Sequence, residues 1–286
     1  MRISACLLPL VLLASCAPAP QRVSESRPPA ARPIANAPTP AAAAPAVAQA
    51  PPPASPSSPA EATRVTDREI SGIHFEGVAF DSRKHRLVVV DQPDGPGSRF
   101  ADAEAAARAR DGMAAVNAGF FTPEGEPLGL VMSNGERSGA WNSASSLGSG
   151  VWHGNSNSMA ISRRESLGKS AALAMRELLQ AGPMLVDRGS TVGGLDATKT
   201  SARTLILWDG GTRWWMGRAA PCSLAALGNA LAHGQPAGWK VRHALNLDGG
   251  RSADLWVSVR ISGGPLTRRT PWNRPVRNFL VLVPHG

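Results

Sequence analysis

Thiols are nearly missing from this chain: its 286 residues hold three cysteines, and two of them, Cys6 and Cys16, fall in the apolar N-terminal segment. Cys222 is left alone, which excludes a disulfide framework in the rest of the chain. It sits in an apolar stretch with no His or Asp at a spacing that suggests a nucleophile, so its expected role is packing. The six histidines show no His-Glu-x-x-His or other paired spacing, and with no thiol pair a zinc centre is not expected. The apolar run ending at Leu13 is shorter than the roughly 20 residues that span a membrane. A Gly-x-Ser-x-Gly elbow is lacking, as is an internal repeat, and Gly148-Ser-Gly150 lacks the strand-to-helix setting of a nucleotide loop. Bases exceed acids, 30 to 21, for a net charge of +9, yet only Arg163-Arg164 and Arg268-Arg269 stand out as dense spots. Scattered arginine is a solvated basic surface that attracts phosphate-bearing or acidic partners, and nucleic acid is not expected among them.

What is present divides the chain in three. Arg2, the apolar run and Leu13-Ala14-Ser15-Cys16 read as a lipoprotein signal peptide over 1–15, with Cys16 the residue to be acylated. The protein is therefore expected to be exported and held by that lipid alone, at the bacterial outer membrane facing the periplasm. Residues 16–66 are dominated by Pro, Ala and Ser without periodicity, the composition of an extended, disordered linker. Residues 67–286 are long enough for one substantial core.

Alternating segments predict strands at Gly72–Phe80, Arg86–Asp91, Met113–Asn117, Leu128–Met132, Ser158–Ser162, Met184–Asp187, Thr204–Trp208, Val241–Asp248, Leu255–Ile261 and Phe279–Val283. Helical spacing predicts Ala101–Asp111, Ser170–Gln180 and Cys222–His233, the last with Pro221 near its first turn and Gly234 past its end. Many strands and few helices argue a single α+β domain built on a large twisted sheet, mixed or mostly antiparallel.

The string Ala244-Leu-Asn-Leu-Asp-Gly-Gly-Arg-Ser252 carries the most chemistry. Alternation puts Asn246 and Asp248 on one face of a strand, and Gly249 and Gly250 let a ligand approach the backbone closely. Such a turn suits an anionic group; by itself it also fits an ordinary Asp-Gly hairpin. Upstream, Val116-Asn-Ala-Gly-Phe-Phe121 presents Asn117 at a strand end, and Pro127-Leu-Gly-Leu130, Gln180-Ala-Gly-Pro-Met-Leu-Val-Asp187 and Ser201-Ala-Arg-Thr204 follow.

In this order and spacing the strings resemble the phosphodiester glycosidase family, over roughly Asn117 to Val283. Ala118, Thr204 and Arg251 depart from residues frequent in relatives, and Arg251 would narrow the pocket or add a phosphate contact. The resemblance implies hydrolysis of a phosphodiester linking sugar C1 to another alcohol, hence a phosphodiester-linked carbohydrate as substrate. It implies site roles for Asp248, Arg203, Asn117 and Asn246. Asp248 would act as general base or stabilise positive charge on the sugar ring. Arg203 would clamp the phosphate bidentately. Asn117 and Asn246 would orient substrate or hold Asp248. Gly119, Gly182, Gly249, Gly250, Arg251 and Ser252 complete the expected binding set, the glycines chiefly through backbone geometry. Asp187, Glu124 and Glu126 are candidates for a second carboxylate, and Trp141 with Asn142 for a sugar platform. No cofactor is expected, with a divalent cation on oxygen ligands near Asp248 left open. The reading from a second class is a non-catalytic envelope lipoprotein that binds phosphodiester-containing glycans.

Overall fold

The computed structural model describes residues 62–285. The signal segment, Cys16 and the linker up to residue 61 lie outside the described residues. Within them the chain is mostly strand, arranged as three sheets rather than the one large sheet expected. The first holds seven strands in the order β1 (Arg64–Ile70), β2 (Ile73–Asp81), β13 (Arg213–Cys222), β12 (Ser201–Trp208), β14 (His243–Asn246), β10 (Met184–Asp187) and β11 (Ser190–Thr191). The second runs β16 (Leu266–Arg269), β15 (Asp254–Val257), β4 (Ala114–Asn117), β17 (Asn278–Pro284) and β3 (His85–Asp91). The third runs β6 (Glu136–Ser138), β5 (Val131–Ser133), β9 (Glu177–Ala181), β7 (Gly150–Gly154) and β8 (Met159–Arg163). Every strand pair is antiparallel.

Strand alternation explains why three sheets share one core. Ile206 and Leu245 of the first sheet, Val116 and Leu280 of the second, and Trp152 and Leu179 of the third point into the same buried cluster. The opposite face of the first sheet, with Leu205 and Leu207, is covered by α4 (Leu224–His233) through Leu227 and Leu231. Ser223 caps this helix by accepting from the Ala226 amide at 3.2 Å. The outer face of the second sheet is covered by α1 (Ala103–Arg108), whose Asp102 cap accepts from the Ala105 amide at 2.9 Å. Two short helices, α2 (Arg164–Leu167) and α3 (Lys169–Leu173), lie between the third sheet's strands β8 and β9.

Several expectations are corrected. The helix expected over Ser170–Gln180 stops at Leu173, and its second half is the strand β9, buried throughout. Leu178 and Leu179 are both wholly buried, so a strand covered on both faces shows no alternation to distinguish it from a helix. The same double burial hid β13, and Pro221 and Cys222 belong to its end rather than to the following helix. The Gly-rich stretch taken as loop contains the start of β7. β1 begins at Arg64 and so overlaps Arg64–Thr66 of the expected linker, because the Thr66 hydroxyl is buried against the Trp215 indole N–H at 2.8 Å. Among the described residues no helix is long and apolar enough to cross a membrane.

Candidate active site

The ends of β4, β12 and β14 meet at a seam between the first and second sheets, and one amide ties them. Asn117 is fully buried at the end of β4; its Nδ2 donates to the Asp248 carbonyl at 2.6 Å. Its Oδ1 accepts from the Thr204 hydroxyl at 2.8 Å and from the Asp254 amide at 3.0 Å. Asn117 thus holds Asp248 in place and has no capacity left on Oδ1 for a substrate. The Asp248 amide adds a bond to the Ala118 carbonyl at 2.9 Å.

With its backbone held this way, Asp248 keeps its carboxylate almost entirely out of water, at 6% exposure. Arg274 Nη2 lies 3.2 Å from Oδ2, and Arg274 Nε donates to Ser252 Oγ at 2.8 Å. Ser252 is wholly buried and lies beside the same carboxylate, favouring its ionised form. Burial pushes the Asp248 carboxyl above the usual range, against the opposing pull of Ser252, Arg274 and the Gly249 amide. Arg274 lies over the Phe121 ring, its guanidinium carbon 4.6 Å from the centroid. Its side chain is half-exposed where its partner is not, so the pair runs from a buried anion to a cation that solvent reaches. Arg251 borders this loop, donating from Nε to the carbonyl of the exposed Trp272 at 3.2 Å, while the Arg274 amide donates to the Arg251 carbonyl at 3.0 Å.

Gly249 is glycine for want of space: a Cβ there would stand 2.4 Å from the Ala202 carbonyl oxygen. Gly250 takes a φ of 61° and opens the short turn that carries Ser252. Gly119 and Gly182 are packing positions. The Gly119 amide donates to Asn278 Oδ1 at 2.7 Å, and a Cβ on Gly182 would lie 2.3 Å from the Ser146 carbonyl oxygen. The Gly182 carbonyl accepts from Asn246 Nδ2 at 2.9 Å, while Asn246 Oδ1 is buried without a hydrogen-bond partner.

Arg203 reaches this region by its backbone, since its Cα would be 3.4 Å from a Cβ on Gly249. Its guanidinium turns elsewhere, donating to the Cys222 carbonyl at 3.1 and 2.9 Å and to the Lys199 carbonyl at 2.8 Å. The guanidinium beside Asp248 is Arg274, which the sequence strings did not single out. It lies 26 residues beyond Asp248 in a Pro-flanked loop, Pro271 to Pro275, with no pattern of its own; its nearest signal was the neighbouring Trp272. Thr204 and Asp254 were missed as well, and their contribution is through Asn117.

The remaining candidates are held in other arrangements. Asp187 pairs with Arg163 at 2.7 Å and lies 3.3 Å from His243. Glu126 is exposed, 3.9 Å from Arg277, and Glu124 is exposed. Trp141 packs against the buried cluster around Leu130 and Leu178, and the Asn142 amide bonds the Gln180 side chain at 2.9 Å. Among the described residues no group of three or more His, Cys, Asp or Glu is placed to hold a metal ion. Two surface cavities, of about 700 and 630 Å³, are lined by other residues. The Asp248 cluster is marked by its chemistry, a buried carboxylate paired with a half-exposed guanidinium.

A sheet scaffold of this kind recurs in several solved structures. A hypothetical protein from Synechocystis aligns with a TM-score of 0.55 at 18% identity, over 77% of this chain and 61% of its own; the chain therefore spans less than two thirds of that protein. The catalytic domain of zebrafish N-acetylglucosamine-1-phosphodiester alpha-N-acetylglucosaminidase, auto-inhibited by its pro-peptide, aligns with a TM-score of 0.51 at 19% identity, over 79% of this chain and 84% of its own. A putative exported protein from Burkholderia pseudomallei gives 0.51 at 15%, over 74% of each chain. No protein of curated function matches by sequence. At these identities the likeness is one of fold. The sequence goes further: a profile of the phosphodiester glycosidase family matches residues 111–283, and the chain belongs to that family.

Proposed function

We propose that the protein hydrolyses a phosphodiester joining sugar C1 to a second alcohol, and that it does so in the bacterial envelope, tethered through lipid on Cys16. The observation that carries this reading is the buried Asp248 carboxylate paired with Arg274, itself held by Ser252, at a seam of strand ends, in a chain of this family. The substrate class is the one named for the zebrafish relative.

In the proposed reaction water adds to the anomeric carbon as the C1–O bond breaks, and the phosphate leaves with the bonding electrons as a monoester. The water proton passes to the departing phosphate or to solvent. A phosphate monoester is a good leaving group, so one well-placed carboxylate suffices to stabilise the positive charge that develops on the ring; Asp248 takes that role. Arg274 presents its half-exposed guanidinium to the phosphate oxygens, with Arg251 beside it. Ser252 keeps Asp248 and Arg274 in register. Asn117 acts on Asp248 as a positioning residue.

The test is turnover of the methyl ester of N-acetylglucosamine 1-phosphate, a sugar-1-phosphodiester, by wild type, Asp248→Asn and Arg274→Gln, with thermal melts to establish that each is folded. Wild-type turnover, and a loss of about 10³-fold in folded Asp248→Asn, is the expected result. Binding of sugar phosphodiesters without turnover by any form would replace this reading with the glycan-binding one.

A further inference from the structure

The second sheet carries the Asp248 seam at one end and an open hollow at the other. Along β17, Phe279 pairs with Asn117 and Val283 pairs with Arg86. At roughly 3.3 Å per residue these positions are about 13 Å apart. The hollow, of about 700 Å³, is lined by Arg86 of β3, Arg110 beyond α1, Arg176 before β9, and Asn134, Asn155 and Asn157 from strand-connecting turns. That volume is within the usual range of small-ligand sites.

Its charges are disposed unusually. Among the described residues, neither the Arg86 nor the Arg110 guanidinium takes part in a hydrogen bond or salt bridge, and Arg176 donates only to the Asn134 side chain. The acids at the rim are already occupied. Glu177 turns its carboxylate inward to the amides of Val89 at 2.7 Å and Asn134 at 3.1 Å. Asp111 pairs with Arg260 at 3.2 Å. Arg86 and Arg110, which share only the electrostatic attraction of the Glu177 carboxylate, lie with Arg176 around one hollow; each guanidinium is a fork that matches phosphate oxygens, while the side-chain Nδ2 groups of the asparagines can donate to hydroxyls, the Oδ1 atoms of Asn134 and Asn155 being occupied. No Phe or Trp lines the hollow, and its one aromatic ring, His285, is held through Nε2 to the Ser82 carbonyl at 2.7 Å.

We propose that this cavity is a second, non-catalytic binding site for a phosphate-bearing saccharide, with Arg86, Arg110 and Arg176 on the phosphate and Asn134, Asn155 and Asn157 on the sugar hydroxyls. Titration calorimetry of the full chain with glucose 6-phosphate, inorganic phosphate and glucose tests it, using wild type, the double variant Arg86→Gln/Arg110→Gln, and Arg274→Gln. Wild type should bind the sugar phosphate about ten-fold more tightly than either fragment, and the double variant should weaken it by about ten-fold or more. Arg274→Gln should leave it within about two-fold, since that residue belongs to the Asp248 cluster. Should the double variant not fold, Arg176→Gln, at an exposed position, must weaken binding by about three-fold or more on its own. Unchanged binding in these variants, binding lost in Arg274→Gln, equal affinity for inorganic phosphate and the sugar phosphate, or no binding at all would each overturn the proposal.

Discussion

The carboxyl group of Asp248 is less acidic than in water because burial outweighs the help of Ser252, Arg274 and the Gly249 amide. The folded protein therefore holds this proton more tightly than the unfolded chain does. Stability is greatest, as far as this group is concerned, below its unfolded value of 3.8, and is lost as pH rises through the elevated folded value. Keeping the site ionised at neutral pH thus costs stability, and Asp248→Asn should melt at or above wild type at pH 7. Melts repeated toward pH 3.5 should show the gap closing; a variant less stable at pH 7 would count against this account. Asp248 and Asn117 were legible in the sequence because each sits at the end of an alternating run, where side-chain direction follows from spacing, and Ser252 because it belongs to the string that resembles the family. Arg274 was not, since a loop residue's approach to a distant carboxylate is set by the fold and leaves no local period. Arg203 erred in the opposite way: its position at the seam was legible, while the direction of its guanidinium was decided by the carbonyls of Lys199 and Cys222.

At the scale of elements, the seam depends on how closely β12 can approach the chain after β14. The Leu247 amide reaches the Thr204 carbonyl at 2.8 Å, and Gly249 then passes against Ala202. Gly249→Ala drives a methyl into a backbone oxygen that cannot swing aside as a side chain would. We expect a loss of about 2–3 kcal/mol in urea unfolding, as for overpacked sites, and reduced turnover. Gly250→Ala meets open space but must adopt a left-handed backbone, so its cost should be smaller, about 1 kcal/mol. Met184–Asp187 was readable at both ends although its two faces are buried, because Gly182-Pro183 precedes it and Arg188-Gly189 turns the chain after it. β9 was hidden because its residues continue the helical spacing begun at Ser170, and β13 was passed over, while the division into three sheets is set by long-range pairing that no local pattern carries.

For the molecule as a whole, pH acts in part through buried histidine. His85, His153 and His243 all have pKa values lowered by burial, so the unfolded chain takes up protons that the folded one refuses. Stability from these groups is full above 6.5 and is lost as pH falls below it, which predicts a lower urea midpoint at pH 5.5 than at pH 7.5. His153→Gln, at a position bonded to Ser162 at 3.0 Å, should flatten part of that slope.

The three bonds of Asn117 have a further consequence, for motion. They join a strand of the second sheet to Thr204 of the first, to Asp248 just beyond that sheet's β14, and to Asp254 within its own. Parting the sheets would leave several buried polar groups without partners at once, so no partial opening of this seam is cheap. The amide protons of Asp248 and Asp254 should therefore exchange with deuterium only at the rate of global unfolding, and both should accelerate together in Asn117→Ala.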